Sequence, residues 1–89
     1  MNPKNILKRL EKMGGCLISN ERDGFAYSFS CYENELSLCS MDHNNQIGFD
    51  VKWENVKING SEIEVEGIDE WNYKIFLNMT MVVPFNVEN

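Results

Sequence analysis

The stretch FAYSFSCYENELSLC, residues 25 to 39, places apolar side chains at alternate positions on both sides of Glu33-Asn34. Alternation with a period of two is typical of a β-strand with one buried face, and Glu-Asn between two such runs favours a tight turn. A turn at this point pairs Phe29 with Leu38. The stretch therefore predicts a β-hairpin that buries its aromatic and leucine side chains and turns its serines to the other face.

The residues before this hairpin predict one amphipathic helix. Asn2-Pro3 is typical of a helix start, because asparagine caps the first turn and proline is favoured at the first helical position. The apolar residues then recur at helical spacing until Gly14-Gly15. Half of the 8 basic residues of the chain lie on the polar face of this helix, namely Lys4, Lys8, Arg9 and Lys12.

After the helix, apolar residues alternate and turn-forming residues separate the runs. The predicted strands span residues 16–22, 25–32, 35–41, 46–58, 61–66 and 71–83. Within the fourth span the apolar residues change from odd to even positions, which predicts a bulge or bend near Glu54-Asn55. The pattern as a whole predicts an α+β fold, with the N-terminal helix packed on a strongly bent antiparallel meander sheet of five to six strands.

Turn positions also predict which residues face each other across the sheet. We assign two-residue turns to Asp23-Gly24 and Asn59-Gly60 and a four-residue loop to residues 42–45. The resulting pairs are Ile18 with Phe29, Cys16 with Cys31, Leu38 with Phe49, and Val56 with Ile63.

Length and composition indicate one globular domain. The chain has 89 residues, too few for two cores, and its 43% hydrophobic and 25% charged residues are close to the globular average. We expect the helix within residues 1–14, the sheet within 15–83 and a C-terminal tail over 84–89.

The net charge indicates which kind of partner the protein binds, and the cysteine content indicates its cellular compartment. The net charge of −6 makes nucleic acid an unexpected partner and favours a basic protein surface. No apolar run has the length of a signal peptide or a membrane span, so we expect no membrane association and a cytoplasmic protein. An odd set of 3 cysteines also fits a reducing compartment.

No residue pattern predicts catalysis or metal binding. Cys39 and His43 have the spacing of half a zinc site, but the other half is missing, and the predicted register places Cys39 on the face opposite Cys16 and Cys31. His43 lies among Asp and Asn residues that favour a tight turn. Nucleophile-elbow, Walker and dinucleotide motifs are absent from the sequence. We therefore predict a non-enzymatic protein without a metal or a cofactor.

Two features of the outer sheet face predict a protein-binding surface. Small side chains on neighbouring strands form a shallow trough, which lets another chain approach closely. Alternating glutamates on the fifth strand place their carboxylates on one face, about 7 Å apart. The alternative is a solvated face on which Lys57 lies opposite Glu62 and Lys74 opposite Glu64. The candidate partner-binding residues are Ser19, Ser28, Ser30, Ser37, Asp50, Glu62, Glu64 and Glu66.

The leading hypothesis is a small acidic binding protein that recognises or inhibits a macromolecular partner, by analogy with immunity and anti-defence proteins. A homodimer formed through the trough is a second possibility for the same surface. The alternative function is a module that sequesters an aromatic or nucleotide-like small molecule under the sheet. Its candidate ligand-binding residues are Arg22, Tyr27, Trp53, Trp71 and Tyr73.

Overall fold

The computed structural model of the protein describes residues 2–20, 26–40, 48–68 and 71–83. Helix α1 spans Pro3–Lys12, and the Oδ1 atom of Asn2 accepts a hydrogen bond of 2.9 Å from the backbone N–H of Lys4. The helix ends before Gly14, whose φ of 71° lies in the left-handed region that glycine adopts without strain. The predicted N-cap at Asn2 is confirmed.

The described residues form seven strands, and all pairings between them are antiparallel. In chain order the strands are β1 (Cys16–Ser19), β2 (Ala26–Cys31), β3 (Glu35–Ser40), β4 (Gly48–Lys52), β5 (Val56–Asn59), β6 (Glu62–Ile68) and β7 (Lys74–Val82). Their order across the sheet is β4-β3-β2-β1-β7-β6-β5.

The sheet closes on itself. Asp50 of β4 pairs with Ile68 of β6, and this pairing joins the two sides of the sheet into a 6-strand barrel with β5 beside it. Gly67 lies at the seam, where a Cβ atom would stand only 3.0 Å from the Asp50 carbonyl oxygen. The predicted α+β class and antiparallel sheet are confirmed, and the closed barrel is more specific than the predicted bent meander.

A short helical turn separates β4 from β5. Residues Trp53–Asn55 form this 3-10 turn, and it changes which positions face the core. Phe49 and Val51 are buried before the turn, and Val56 is buried after it. The change of parity predicted near Glu54-Asn55 is therefore present, and a 3-10 turn produces it rather than a β-bulge.

The hydrophobic core fills the barrel and continues to the helix. Leu7 is fully buried and Leu10 nearly so, and both belong to the same cluster as the inward side chains of the strands. The Lys4 Nζ atom donates a hydrogen bond of 3.0 Å to the Glu33 carbonyl oxygen in the β2–β3 turn, so α1 lies at the end of the barrel where β2 ends. The buried core residues are Leu7, Leu10, Leu17, Tyr27, Phe29, Leu36, Leu38, Phe49, Val51, Val56, Ile63, Val65, Leu77 and Met79.

Two of the predicted registers are confirmed, and the one between β1 and β2 was wrong. Phe29 pairs with Leu38, and Leu38 pairs with Phe49, as the turns predicted. In contrast, β1 pairs Leu17 with Tyr27. Residues 21–25, which connect the two strands, lie outside the described ranges.

This shift of three residues exchanges the two faces of β1. Leu17 and Ser19 are buried inside the barrel, whereas Ile18 and Cys16 lie on the outer side. Cys16 is opposite Val82 of β7. The prediction that Cys16 faces Cys31 was therefore wrong.

The predicted register between β5 and β6 was wrong by two residues. Val56 pairs with Val65 rather than Ile63, because the turn is at Gly60-Ser61, where Gly60 has a φ of 64°. A shift of two residues leaves every side chain on its predicted face. It does change the neighbours of the charged side chains, since Lys57 now lies opposite Glu64.

Candidate functional site

Strand β6 carries a row of exposed carboxylates, and its inward side chains anchor it in the core. Glu62, Glu64 and Glu66 point outward and are exposed, while Ile63 and Val65 between them are fully buried. Because the inward side chains fix the strand against the core, the outward ones keep a regular spacing of about 7 Å. The glutamate row that the alternation predicted is therefore present as a row of exposed acids.

The charges of this row are largely uncompensated. The Lys74 Nζ atom lies 3.4 Å from the Glu66 Oε2 atom, and both side chains are exposed, so the interaction is screened by water and weak. Lys74 pairs across the sheet with Ile68, so the predicted positions of Lys74 opposite Glu64 and of Lys57 opposite Glu62 were wrong. Within the described ranges, the side chains of Glu62 and Glu64 form no hydrogen bond or ion pair.

Large apolar side chains are exposed at one end of the same hairpin. The exposed fractions are 54% for Ile68, 64% for Trp71, 71% for Tyr73 and 56% for Phe76. Ile68 and Phe76 are on the outer face of β6 and β7, and Phe76 lies opposite Glu66. We call these four residues together with Glu62, Glu64 and Glu66 the β6–β7 surface. Exposed apolar side chains that lie close to charged ones are informative, because large exposed apolar patches often mark interaction sites.

Alternation over the predicted strand 71–83 places Trp71 and Tyr73 on its inner face together with Ile75 and Leu77, and for the two aromatic residues this prediction was wrong. Strand β7 begins at Lys74, and Trp71 and Tyr73 lie in the preceding turn, where Asn72 has a φ of 68°. The turn breaks the alternation, so the parity that holds from Ile75 onward does not extend back to the two aromatic residues.

Sequence analysis did not single out Phe76 or Ile68. A signal for Phe76 was present, because it occupies an outward position between Ile75 and Leu77, which both face inward. An apolar residue at an outward position of an alternating strand is informative, since such positions are usually polar. Ile68 follows the parity of the glutamates and gives the same signal.

Closure of the barrel joins this surface to the predicted trough. Ser30, Ser37 and Asp50 lie side by side on β2, β3 and β4, and the pairing of Asp50 with Ile68 continues that row onto β6. Ser28 is exposed one position further along, where its Oγ atom donates a hydrogen bond of 3.4 Å to the Cys39 carbonyl oxygen. The two groups of candidate partner-binding residues thus meet at Asp50 and Ile68.

Ser19 does not belong to this outer face. It is buried and pairs with Met79 of β7. Its predicted outward position depended on the predicted register between β1 and β2, and the observed register reverses the face.

The residues proposed for a small-molecule site are not brought together. Tyr27 is buried in the barrel core, and Trp53 lies at the end near α1, where its Nε1 atom donates a hydrogen bond of 2.9 Å to the Tyr32 carbonyl oxygen. Trp71 and Tyr73 lie in the β6–β7 turn, at the opposite end of the barrel. Arg22 lies outside the described residues.

The cysteines are free thiols. Burial raises the pKa of the Cys31 thiol to about 11, and the nearby Glu11 carboxylate, which also interacts with it by a hydrogen bond, adds to the increase. A thiol with so high a pKa is a poor nucleophile at neutral pH, because the thiolate is the reactive form.

Comparison with protein-family models, with curated proteins and with solved structures gave no match to this chain. Among the residues that the structure describes, no helix has the length and apolar character needed to cross a membrane. In the same part of the chain, no group of three metal-ligating side chains comes together; His43 lies outside it. The function is therefore inferred from the chemistry of the β6–β7 surface.

Proposed function

We propose that this protein is a small acidic, non-enzymatic binding protein that recognises or inhibits a basic protein partner through the β6–β7 surface. The observation that carries the proposal is that one exposed hairpin joins four large apolar side chains to three glutamates. Aromatic residues are enriched at the centres of protein interfaces, where they supply large contact areas and most of the binding energy. The glutamates at the rim define the charge of the partner.

Electrostatics favours a basic partner over a second copy of the chain. The net charge is −6, and half of the 8 basic residues lie on α1 rather than near the hairpin. A basic surface would be attracted to the glutamate row, which speeds association. Two copies that met through this same surface would place like charges opposite each other, which is unfavourable.

The hairpin is also rigid enough for recognition. Strand β6 pairs with both β5 and β7, and β7 is held on its other side by β1. A surface held in one conformation before binding loses less conformational entropy when the partner arrives. The exposed side chains of β6 and β7 therefore form a preorganised surface, in contrast to a segment that orders only on binding.

Affinity purification with matched variants tests this function. Phe76 and Tyr32 are both 56% exposed, but only Phe76 belongs to the β6–β7 surface. Tagged wild-type protein, Phe76→Ser and Tyr32→Ser are purified in parallel from cells that make the protein, and retained proteins are quantified by mass spectrometry. We expect a protein that the wild type and Tyr32→Ser retain equally and that Phe76→Ser retains at least ~10-fold less, as for an aromatic anchor at an interface centre.

The purified partner then provides the second measurement. Its association rate with the wild type should decrease as salt is added, because screening weakens the attraction between exposed charges. A partner retained equally by all three proteins, or no specifically retained protein at all, would contradict the proposal. An association rate that is independent of salt would remove the electrostatic part of it.

A further inference from the structure

Three adjacent depressions follow the outer face of β6. Their volumes are near 250, 230 and 280 Å³, and each is smaller than a typical pocket for a drug-sized molecule. The first is lined by Glu62, Glu64 and Lys57, the second by Glu64, Glu66, Lys57 and Phe76, and the third by Glu66, Ile68 and Lys74. Each depression is therefore displaced by two residues of β6 from the one before it.

This spacing matches an extended chain. Alternate side chains of a β-strand point to the same side and repeat every ~6.6 Å, which is also the repeat of the depressions along β6. An α-helix presents one side chain per turn to one side, about every 5.4 Å, so over three successive depressions it falls out of step by about 2.4 Å. The geometry favours a single extended segment whose alternate side chains enter them.

The depressions differ in chemistry. In the first two, carboxylates outnumber the one basic side chain, Lys57, and Glu62 and Glu64 form no ion pair among the described residues. At the third, Lys74 already lies 3.4 Å from Glu66, and Ile68 supplies an exposed apolar side chain. Two basic side chains and one apolar side chain are therefore the complementary set.

We propose that the partner binds through an extended segment with the pattern basic-x-basic-x-apolar, in either chain direction, laid along β6 with the apolar side chain beside Ile68. This proposal rests on the proposed function and specifies its ligand. The basic side chains pair with Glu62 and Glu64, and the apolar one packs between Ile68 and Phe76.

Peptide titrations followed by NMR test this pattern. Three peptides of identical composition are compared, with the cores Lys-Ser-Lys-Ser-Phe, Phe-Ser-Lys-Ser-Lys and Lys-Lys-Ser-Ser-Phe, each added to the isotope-labelled full chain. Only the first two place both lysines on one side of an extended segment. We expect one of these to bind about 10-fold tighter than the third, with shifts in the amide signals of residues 62–68 and 74–78.

Matched variants locate the contact. Glu64→Gln should weaken binding of the preferred peptide about 5-fold, whereas Glu33→Gln, which removes an exposed carboxylate outside this surface, should leave it unchanged. Sedimentation of the protein without peptide should show no self-association that Glu64→Gln abolishes. Such self-association would mean that a second copy occupies the depressions, and it would overturn the proposal.

The outcomes separate this proposal from the function on which it rests. Equal affinity for all three peptides would overturn the extended pattern and leave a basic partner in place. Absence of peptide binding, together with a protein partner that depends on Phe76, would also overturn the pattern alone. If no peptide binds and no such partner exists, both proposals are wrong.

Discussion

Substitution of Gly67 by alanine tests whether the barrel closes as described. A Cβ atom at this position would stand 3.0 Å from the Asp50 carbonyl oxygen, 3.0 Å from Val51 Cγ2 and 3.1 Å from Phe49 Cδ2. These three atoms belong to β4, so the new methyl group would push β6 away from β4 at the only residue pair that joins them among the described residues. Gly67→Ala should therefore weaken the closure of the barrel.

Gly48→Ala provides the control from which the magnitude can be worked out. A Cβ atom at Gly48 would meet only the Leu38 carbonyl oxygen, at an ordinary distance of 3.6 Å. Both substitutions stabilise by about 0.4–1 kcal/mol through the unfolded chain, and this contribution cancels in the comparison. The remaining difference in the free energy of unfolding between the two variants is the cost of overpacking at Gly67, about 1–3 kcal/mol. For a domain of this size it corresponds to a difference in Tm of about 4–24 °C.

Thermal and urea unfolding, followed by circular dichroism, measure this difference. We expect Gly67→Ala to be less stable than Gly48→Ala by at least about 1 kcal/mol. Hydrogen exchange should also become faster at the backbone amides of Asp50 and Ile68 in Gly67→Ala. If the two variants were equally stable, β4 and β6 would not approach each other as closely as described, and the barrel would be open at this seam.

Two further experiments test the packing of the core and the partly buried Cys31 thiol. Leu7→Ala should lower the free energy of unfolding by about 2–5 kcal/mol, because Leu7 is fully buried, whereas Asn5→Ala on the exposed side of α1 should change it by less than about 0.5 kcal/mol in urea unfolding. In the Cys16→Ser/Cys39→Ser variant, the rate at which iodoacetamide alkylates Cys31 should increase with pH. The midpoint of this increase should lie near pH 11 in the folded protein and near the ordinary pKa of 9.0 in guanidinium. Between about pH 9 and 11 the folded protein keeps a proton on Cys31 that the unfolded chain releases, so the free energy of unfolding should decrease as pH rises through this range. A midpoint near 9 in the folded protein would contradict the burial of Cys31.

The hairpin from β2 to β3 and its pairing with β4 could be predicted from the sequence. In both cases the turn residues and the alternation agree on one register, and a slip of one residue would expose Phe29 or Leu38. The register of β1 could not be predicted in this way. Leu17 and Ile18 are both apolar, so either can face the core, and the pairing of Leu17 with Met81 of the distant strand β7 decides between them.

The candidate site was predictable only where its signal is local. The glutamate row follows from alternation within β6, which a single strand carries by itself. Its junction with the serine trough depends on the contact of Asp50 with Ile68, and neither residue has a neighbour in the sequence that indicates this contact. The signal for Phe76 was also local, because its position between the inward Ile75 and Leu77 places it outward, but an unbroken apolar run is also typical of a strand buried on both faces.

The position of β1 between β2 and β7 has a consequence for synthesis of the protein on the ribosome. Among the described strands, β1 is made first and pairs with the one made last, since Leu17 pairs with Met81. Contacts so distant in sequence form late and slowly, so one edge of β1 stays unpaired until β7 has been made. We expect nascent chains that lack β7 to need protection from aggregation, and chains that include it to close the barrel without assistance.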